Sequence, residues 1–203
     1  QPNDSRRPRH ATSTRERWGL PADAVVFGNF NQSFKLSPQT FDAWCRILQA
    51  VPGSVLWLLA DNPQATQNLQ REAVRRGLDP ARLVFAPRVG VDVHLARLPL
   101  ADFMLDNWPC SAHTTASDAL WMGLLVLTCR GESFAGRVAA SLLDAVGMPE
   151  LVVATLDEYE QRAVALARDA HGLRVLRDRL AANLRDAPLF DAAAFTRDLE
   201  KAC

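Results

Sequence analysis

The chain has 203 residues, room for one generous domain or one domain with a tail, and 23 Lys plus Arg balance 23 Asp plus Glu for zero net charge. That balance argues against a nucleic-acid module, whose phosphate partners demand a basic excess. At 48% hydrophobic and 23% charged the chain can bury a real core, yet apolar runs such as 124–127 are far too short to span a bilayer.

Residues 1–17 carry five Arg against Asp4 and Glu16 and almost no apolar residue, so residues 1–19 read as a basic linker or extended arm ahead of a lobe spanning 20–203. Residues 25–30 form a short β-rich apolar run, the first strand. Ser37 then caps a helix with Pro38 at its first position, and Phe41, Trp44, Ile47 and Leu48 recur at helical spacing as a buried stripe. Pro52-Gly53 stops it, and 54–59 is the second strand. A second helix covers about 65–76, with Leu69, Ala73 and Val74 inward and Gly77 as its stop. Residues 83–85 are a third strand, 93–98 a short helix and 102–105 a fourth strand.

The unit then repeats: a helix over 114–122, a strand over 124–127, a helix over 133–146 ending at Gly147, and a short strand over 151–153. Thr155-Leu156-Asp157-Glu158 is a capping box that opens a helical C-terminal third, broken near His171-Gly172 and again at Pro188. Near-continuous apolar strands alternating with helices describe a parallel sheet buried on both faces. The expected fold is α/β, a Rossmann-like doubly wound parallel sheet followed by C-terminal helices.

In such a sheet ligands bind beyond the carboxyl ends of the strands. No G-x-G-x-x-G follows the first strand and no G-x-x-x-x-G-K-[ST] occurs, which removes the main support for a dinucleotide dehydrogenase or a P-loop nucleotidase. The loop after the first strand, Asn29 to Lys35, is amide-rich and holds one of only two lysines beside 21 arginines. Lys35 suits a phosphate oxygen or is an ordinary surface lysine. The loop after the fourth strand leads through His113 into a helix start at Thr114 or Thr115. This is either an anion site built from free N–H groups and the helix dipole or a plain cap, with Asp118 favouring the dipole. His94 and Arg97, one helical turn apart, can share a face and stack on a base, or His94 is a core or surface histidine.

His94, His113 and Asp118 lack zinc-ligand spacing, so no metal or other cofactor is expected. Cys110 and His113 are a conceivable nucleophile pair without an evident orienting residue. Cys45, Cys110, Cys129 and Cys203 lie far apart with no C-x-x-C pair, which fits a reducing, cytoplasmic compartment. No charged-then-apolar segment opens the sequence, so no secretory signal is expected.

Phe30-Asn31-Gln32-Ser33-Phe34-Lys35, the stretch from Val51-Pro52-Gly53 to Leu59, His113-Thr114-Thr115-Ala116-Ser117-Asp118-Ala119-Leu120-Trp121, Arg137-Val138-Ala139-Ala140-Ser141 and Pro188-Leu189-Phe190 occur in order. Together they resemble the C-terminal catalytic lobe of the protein O-GlcNAc transferase family, with its bacterial and SPINDLY-like members, over about 20–199. The resemblance implies half of a GT-B glycosyltransferase, the lobe that holds the UDP of UDP-GlcNAc for inverting, metal-independent transfer to Ser or Thr of proteins. It places Gln32 and Lys35 at the diphosphate, and His113, Thr114 and Thr115 at the helix start that receives it. His94 and Arg97 then flank the uracil, Val89 gives backbone contacts to the base, and Asp118 lies near the ribose or sugar. Lys35 is the expected stabiliser of the leaving group.

A Lys common in the family is Val91 here, Leu125 replaces the usual Pro and Asn107 the usual Thr. The protein acceptor is expected to be met by an N-terminal lobe or helical repeats outside this chain, which alone is expected to be incomplete for catalysis. The rival readings are a GT-B UDP-sugar epimerase or hydrolase, and a non-catalytic nucleotide-sugar binding module.

Overall fold

The computed structural model describes Arg7 and residues 12–202. Six strands form one all-parallel sheet: β1 (Val26–Asn29), β2 (Val55–Ala60), β3 (Leu83–Pro87), β4 (Phe103–Leu105), β5 (Val126–Cys129) and β6 (Val152–Val153). Their order is β3-β2-β1-β4-β5-β6. The chain winds outward from β1 to β3, returns to lie beside β1 as β4, and winds outward the other way. The right-handedness of parallel crossovers therefore puts the connecting helices on both faces, which is the doubly wound arrangement expected from the apolar strands. Phe27, Leu56, Phe103, Met104, Val126 and Leu127 are all fully buried at its centre.

The helices are α1 (Pro38–Ala50), α2 (Pro63–Arg75), α3 (Val91–Arg97), α4 (Thr114–Trp121), α5 (Phe134–Ala145), α6 (Leu156–Arg168), α7 (Ala170–Asn183) and α8 (Ala192–Ala202). Local chemistry sets their ends. The Ser37 side chain accepts from the Thr40 N–H at the start of α1, and the Thr155–Glu158 capping box opens α6 with both of its reciprocal hydrogen bonds formed. At the end of α2 Gly77 turns to φ +71°, which lets the Leu78 N–H reach back to the Ala73 carbonyl at 3.0 Å.

Two local expectations differ. Val74 is 58% exposed and only Ala73 of α2 is buried, because α2 covers the outer strands of the sheet with a narrow face. The break in the C-terminal helices falls at Asp169, whose side chain accepts from the Gly172 N–H, so His171-Gly172 lie inside the first turn of α7.

Of the basic segment 1–19, residues 1–6 and 8–11 lie outside the described residues. Residues Glu16–Trp18 form a 3-10 turn, and Arg15 is docked on the lobe. It donates to the carbonyls of Leu100, Ala22 and Ala24 at 2.9–3.1 Å and pairs with Asp102 at 2.9 Å. Among the described residues no helix is long and apolar enough to cross a membrane.

Candidate functional site

The strand order reverses between β1 and β4, so the loops leaving these two strands diverge and open a crevice at their carboxyl ends. Buried amides hold the crevice floor. Asn29 at the end of β1 donates to the Leu105 carbonyl at 2.6 Å and to Asn107 Oδ1 at 2.7 Å. Asn31 Nδ2 donates to the same Asn107 oxygen at 2.8 Å, and the Asn31 N–H to Asn29 Oδ1 at 3.0 Å. The two diverging loops are thereby fixed to each other as well as to the sheet.

Beyond this floor the first loop tightens into a 3-10 turn, Ser33–Lys35, with the Lys35 N–H on the Gln32 carbonyl. Asp61, after β2, accepts from both the N–H and the hydroxyl of Ser33 at 2.8 and 3.0 Å. The turn is thus pinned, and it presents Gln32 and Lys35 to the crevice.

The loop after β4 is held by Asp106, a carboxylate 1% exposed. It accepts from the Asn107 N–H (2.8 Å), the Ala112 N–H (2.7 Å) and the Thr128 hydroxyl of β5 (2.7 Å). Both ends of 107–112 are therefore tied to one side chain. Burial pushes the Asp106 carboxyl up to about 6, against the opposing pull of those three donors and of the Lys35 charge. The middle of the loop leans on α1, where the Trp108 carbonyl accepts from Ser37 and Thr40 at 2.7 and 2.6 Å. Its far end leans on α5, where the Ala135 carbonyl accepts from the N–H and hydroxyl of Ser111 at 3.0 and 2.8 Å.

His113 ends the loop at the N-cap of α4, with no side-chain cap bond. Its Nε2 lies 3.3 Å from the same Ala135 carbonyl, an acceptor that can receive an N–H from this nitrogen. The first-turn N–H groups of α4 lack carbonyl partners within the helix and carry the positive end of its dipole.

These parts enclose a cleft of about 600 Å³ lined by Phe30, Asn31, Gln32, Lys35, Leu59, Arg88, Val89, His94, Arg97, His113, Thr114 and Thr115. Eight of the sequence-selected residues, Gln32, Lys35, Val89, His94, Arg97, His113, Thr114 and Thr115, therefore meet on one concave surface. Asp118, one turn deeper on α4, is not among the lining residues and is ion-paired with Arg7. Burial, the Arg97 charge second and Asp118 in opposition bring the His94 imidazole down to about 4, so it is neutral at pH 7. Cys110 is half-buried in the loop after β4.

Sequence reasoning passed over Arg88, Asn31, Asp61 and Asp106. A polar residue directly following a strand was the available signal for Asp61 and Asp106. Arg88, exposed just after β3, carried no spacing signal.

The comparisons with known proteins agree with one another. The profile of glycosyl transferase family 41 matches residues 4–199. A UDP-N-acetylglucosamine–peptide N-acetylglucosaminyltransferase of Caenorhabditis elegans is 43% identical over 188 residues, 93% of this chain and 16% of the relative. A probable enzyme of the same description, SEC of Arabidopsis thaliana, is 37% identical over 92% of this chain and 19% of its own length. The chain thus spans less than a fifth of these curated relatives. Among solved structures, a mutant of the Thermobaculum terrenum O-GlcNAc transferase superposes with a TM-score of 0.83 at 36% identity, over 90% of this chain and 37% of that one. Anabaena HepE, solved in complex with UDP, has a TM-score of 0.67 at 16% identity over 93% of this chain and 50% of its own, a likeness of fold alone.

Proposed function

The chain belongs to glycosyl transferase family 41, and from that membership we propose that it is the donor-binding lobe of a cytoplasmic glycosyltransferase. The enzyme moves N-acetylglucosamine from UDP-GlcNAc to Ser or Thr hydroxyls of proteins, inverting the anomeric carbon without a divalent metal. The observation that carries this reading is the cleft at the switch point. There an amide side chain, a lysine and a helix start converge at one end, with Val89 and His94 lining the β3–α3 side.

In this reading the diphosphate lies between Gln32, Lys35 and the first turn of α4 at His113, Thr114 and Thr115. The uracil rests against His94, with Arg97 behind it and Val89 offering its backbone, and Asp118 lies toward the ribose or sugar. As the glycosidic bond breaks, negative charge grows on the UDP oxygens. A lysine and a helix start already aimed at that position stabilise it without reorganising. The acceptor and a general base come from a facing GT-B lobe. Phe34 and Phe134, 77% and 82% exposed beside Lys35 and His113, offer aromatic surface for such a lobe to cover. Cys45, Cys110 and Cys129 are free thiols, as a reducing compartment leaves them.

Calorimetric titration of the chain with UDP, without chelator and then in buffer containing EDTA, tests the reading. Saturable binding that exceeds binding of CDP and survives chelation is expected. No UDP binding would overturn the donor-lobe assignment, and binding abolished by EDTA would overturn metal independence. The full-length protein supplied with UDP-GlcNAc alone, and then with acceptor protein, separates transfer from epimerisation or hydrolysis, which need no acceptor.

A further inference from the structure

Among the described residues Arg97 is the only buried cation, 1% exposed, and no carboxylate pairs with it. Aromatic rings surround it: its guanidinium carbon lies 4.6 Å from the Phe30 ring centre, 5.1 Å from Trp18 and 5.9 Å from Trp57. Nη1 donates to the Pro87 carbonyl at 2.9 Å. The other two nitrogens converge on one atom, His94 Nδ1, with Nε at 3.2 Å and Nη2 at 2.9 Å.

A guanidinium has donors only and stays charged in proteins. The atom that receives its fork must therefore present a lone pair, so the His94 proton sits on Nε2. Protonating Nδ1 would press an N–H of a cation against two N–H groups of another. The Phe30 ring stands edge-on to the imidazole at 5.4 Å and limits its rotation.

We propose that Arg97 is a positioning residue that locks His94 in the neutral, Nε2-protonated tautomer, so that the nucleotide base meets an uncharged imidazole of fixed orientation. The proposal rests on the reading of this cleft as the UDP site for its purpose, but the lock itself exists without nucleotide.

The charged groups that bear on His94 are Arg97 on its own helix, Asp118 from α4, and Lys35 and Arg88, which line the same cleft. Asp118 acts against the lock but is engaged by Arg7. Burial and Arg97 outweigh it and bring the imidazole down to about 4, so His94 is predominantly neutral between pH 5 and 8.

Long-range proton–nitrogen NMR spectra of the 15N-labelled, nucleotide-free chain across pH 5 to 8, with His94 assigned through His94→Gln, read the tautomer directly. The wild type is expected to show His94 Nδ1 unprotonated, Nε2 protonated and the ring predominantly neutral throughout. Arg97→Lys, still a donor without an acceptor, is expected to keep that tautomer. Arg97→Gln, whose amide can turn its oxygen to the ring, is expected to mix tautomers and raise the His94 titration midpoint above that of the wild type, while burial, the larger cause, keeps it below the ordinary histidine value of about 6.5. Affinity for UDP-GlcNAc, relative to wild type, then becomes pH-dependent around the same midpoint in the Gln variant only.

A protonated Nδ1 or a His94 titration near 6.5 in the wild type would overturn the proposal, even if neither variant folds. So would a Gln variant with an unchanged His94 spectrum. A nucleotide-free spectrum as expected together with no UDP binding would leave the lock standing and remove the functional reading instead.

Discussion

Lys35 Nζ lies 3.5 Å from the Ser111 carbonyl oxygen, so the loops that leave β1 and β4 meet across the crevice through one cation. That contact is long, and among the described residues no carboxylate forms an ion pair with Lys35. Its charge is left for the cleft. The Arg residues that make up most of the basic complement are used differently, holding carbonyls and carboxylates as Arg15 and Arg82 do.

Replacing Lys35 by Met is therefore expected to leave the fold intact and weaken UDP binding 10- to 100-fold. A charge-assisted hydrogen bond contributes about 1.5–3 kcal/mol, and each 1.4 kcal/mol is a factor of about ten. Calorimetry on the variant, with thermal unfolding as control, reads both quantities. Unchanged affinity would take Lys35 out of the diphosphate site.

Asp106 gives a pH prediction with a definite sign. Its carboxyl titrates at about 6 in the fold against 3.8 for a free one, so between those values the native state binds more protons than the unfolded chain. Stability gained from this group rises as pH falls through 6 and is complete below about 4. His94, at about 4 in the fold against 6.5, works in the opposite direction, losing stability as pH falls from 6.5 toward 4. Asp106→Asn keeps an acceptor for the Asn107 and Ala112 N–H groups and a partner for Thr128, and removes only the first contribution. Between pH 7 and pH 5 the variant should lose about 1 kcal/mol relative to wild type, read from urea unfolding at both pH values. Parallel pH profiles would mean that Asp106 ionises as an ordinary carboxylate.

Tyr159 ties α6 to the site from behind. Its hydroxyl donates to the Asp106 carbonyl at 2.9 Å and accepts from Trp44 Nε1 at 3.1 Å, all three buried. Tyr159→Phe leaves an indole N–H and a carbonyl without partners, a cost of about 1–3 kcal/mol. For a chain of this size the melting temperature should fall by about 2–4 °C per kcal/mol. A melting temperature unchanged to within a degree would show that water or a side-chain shift satisfies both groups.

Much of this architecture was legible because the signals were local. Ser37-Pro38 and Thr155–Glu158 mark helix starts through the few atoms around them, and apolar strands bounded by turns can only be buried on both faces. Lys35 and Thr114 were found by the same logic, since a parallel sheet puts its strand-to-helix loops where ligands bind. The missed features depend on pairing between distant segments. Asn29 and Asn107 become a floor only when β1 and β4, 76 residues apart at the Asn29–Leu105 bond, are neighbours. Arg97 reads only as a neighbour of His94 on one helical face, and its burial shows only when Trp18, Phe30 and Trp57 close around it. The inward reading of Val74 failed because helical spacing gives a stripe's direction but not its width. The helix break at Asp169 was readable after all, since an Asp three residues before a backbone N–H it can cap is a start signal.

Gly136 supplies a test of how strictly α5 shapes the crevice. A glycine inside a helix is ordinarily improved by alanine, by about 1 kcal/mol. Here a Cβ would lie 2.5 Å from the Pro109 carbonyl oxygen and 2.9 Å from the Gly131 Cα, both backbone atoms that cannot step aside alone. The same turn of α5 offers the Ala135 carbonyl to Ser111 and His113, so relieving the clash must push the loop after β4 away from the helix. Gly136→Ala is therefore expected to reverse the usual sign, destabilising the lobe by at least about 1 kcal/mol, and to weaken UDP binding by moving Ser111 and the start of α4 away from Lys35. Urea unfolding and UDP calorimetry on the one variant measure both effects. A variant of normal stability and normal affinity would mean that the loop can move without disturbing the site, and that the close approach of α5 is not what holds the crevice in shape.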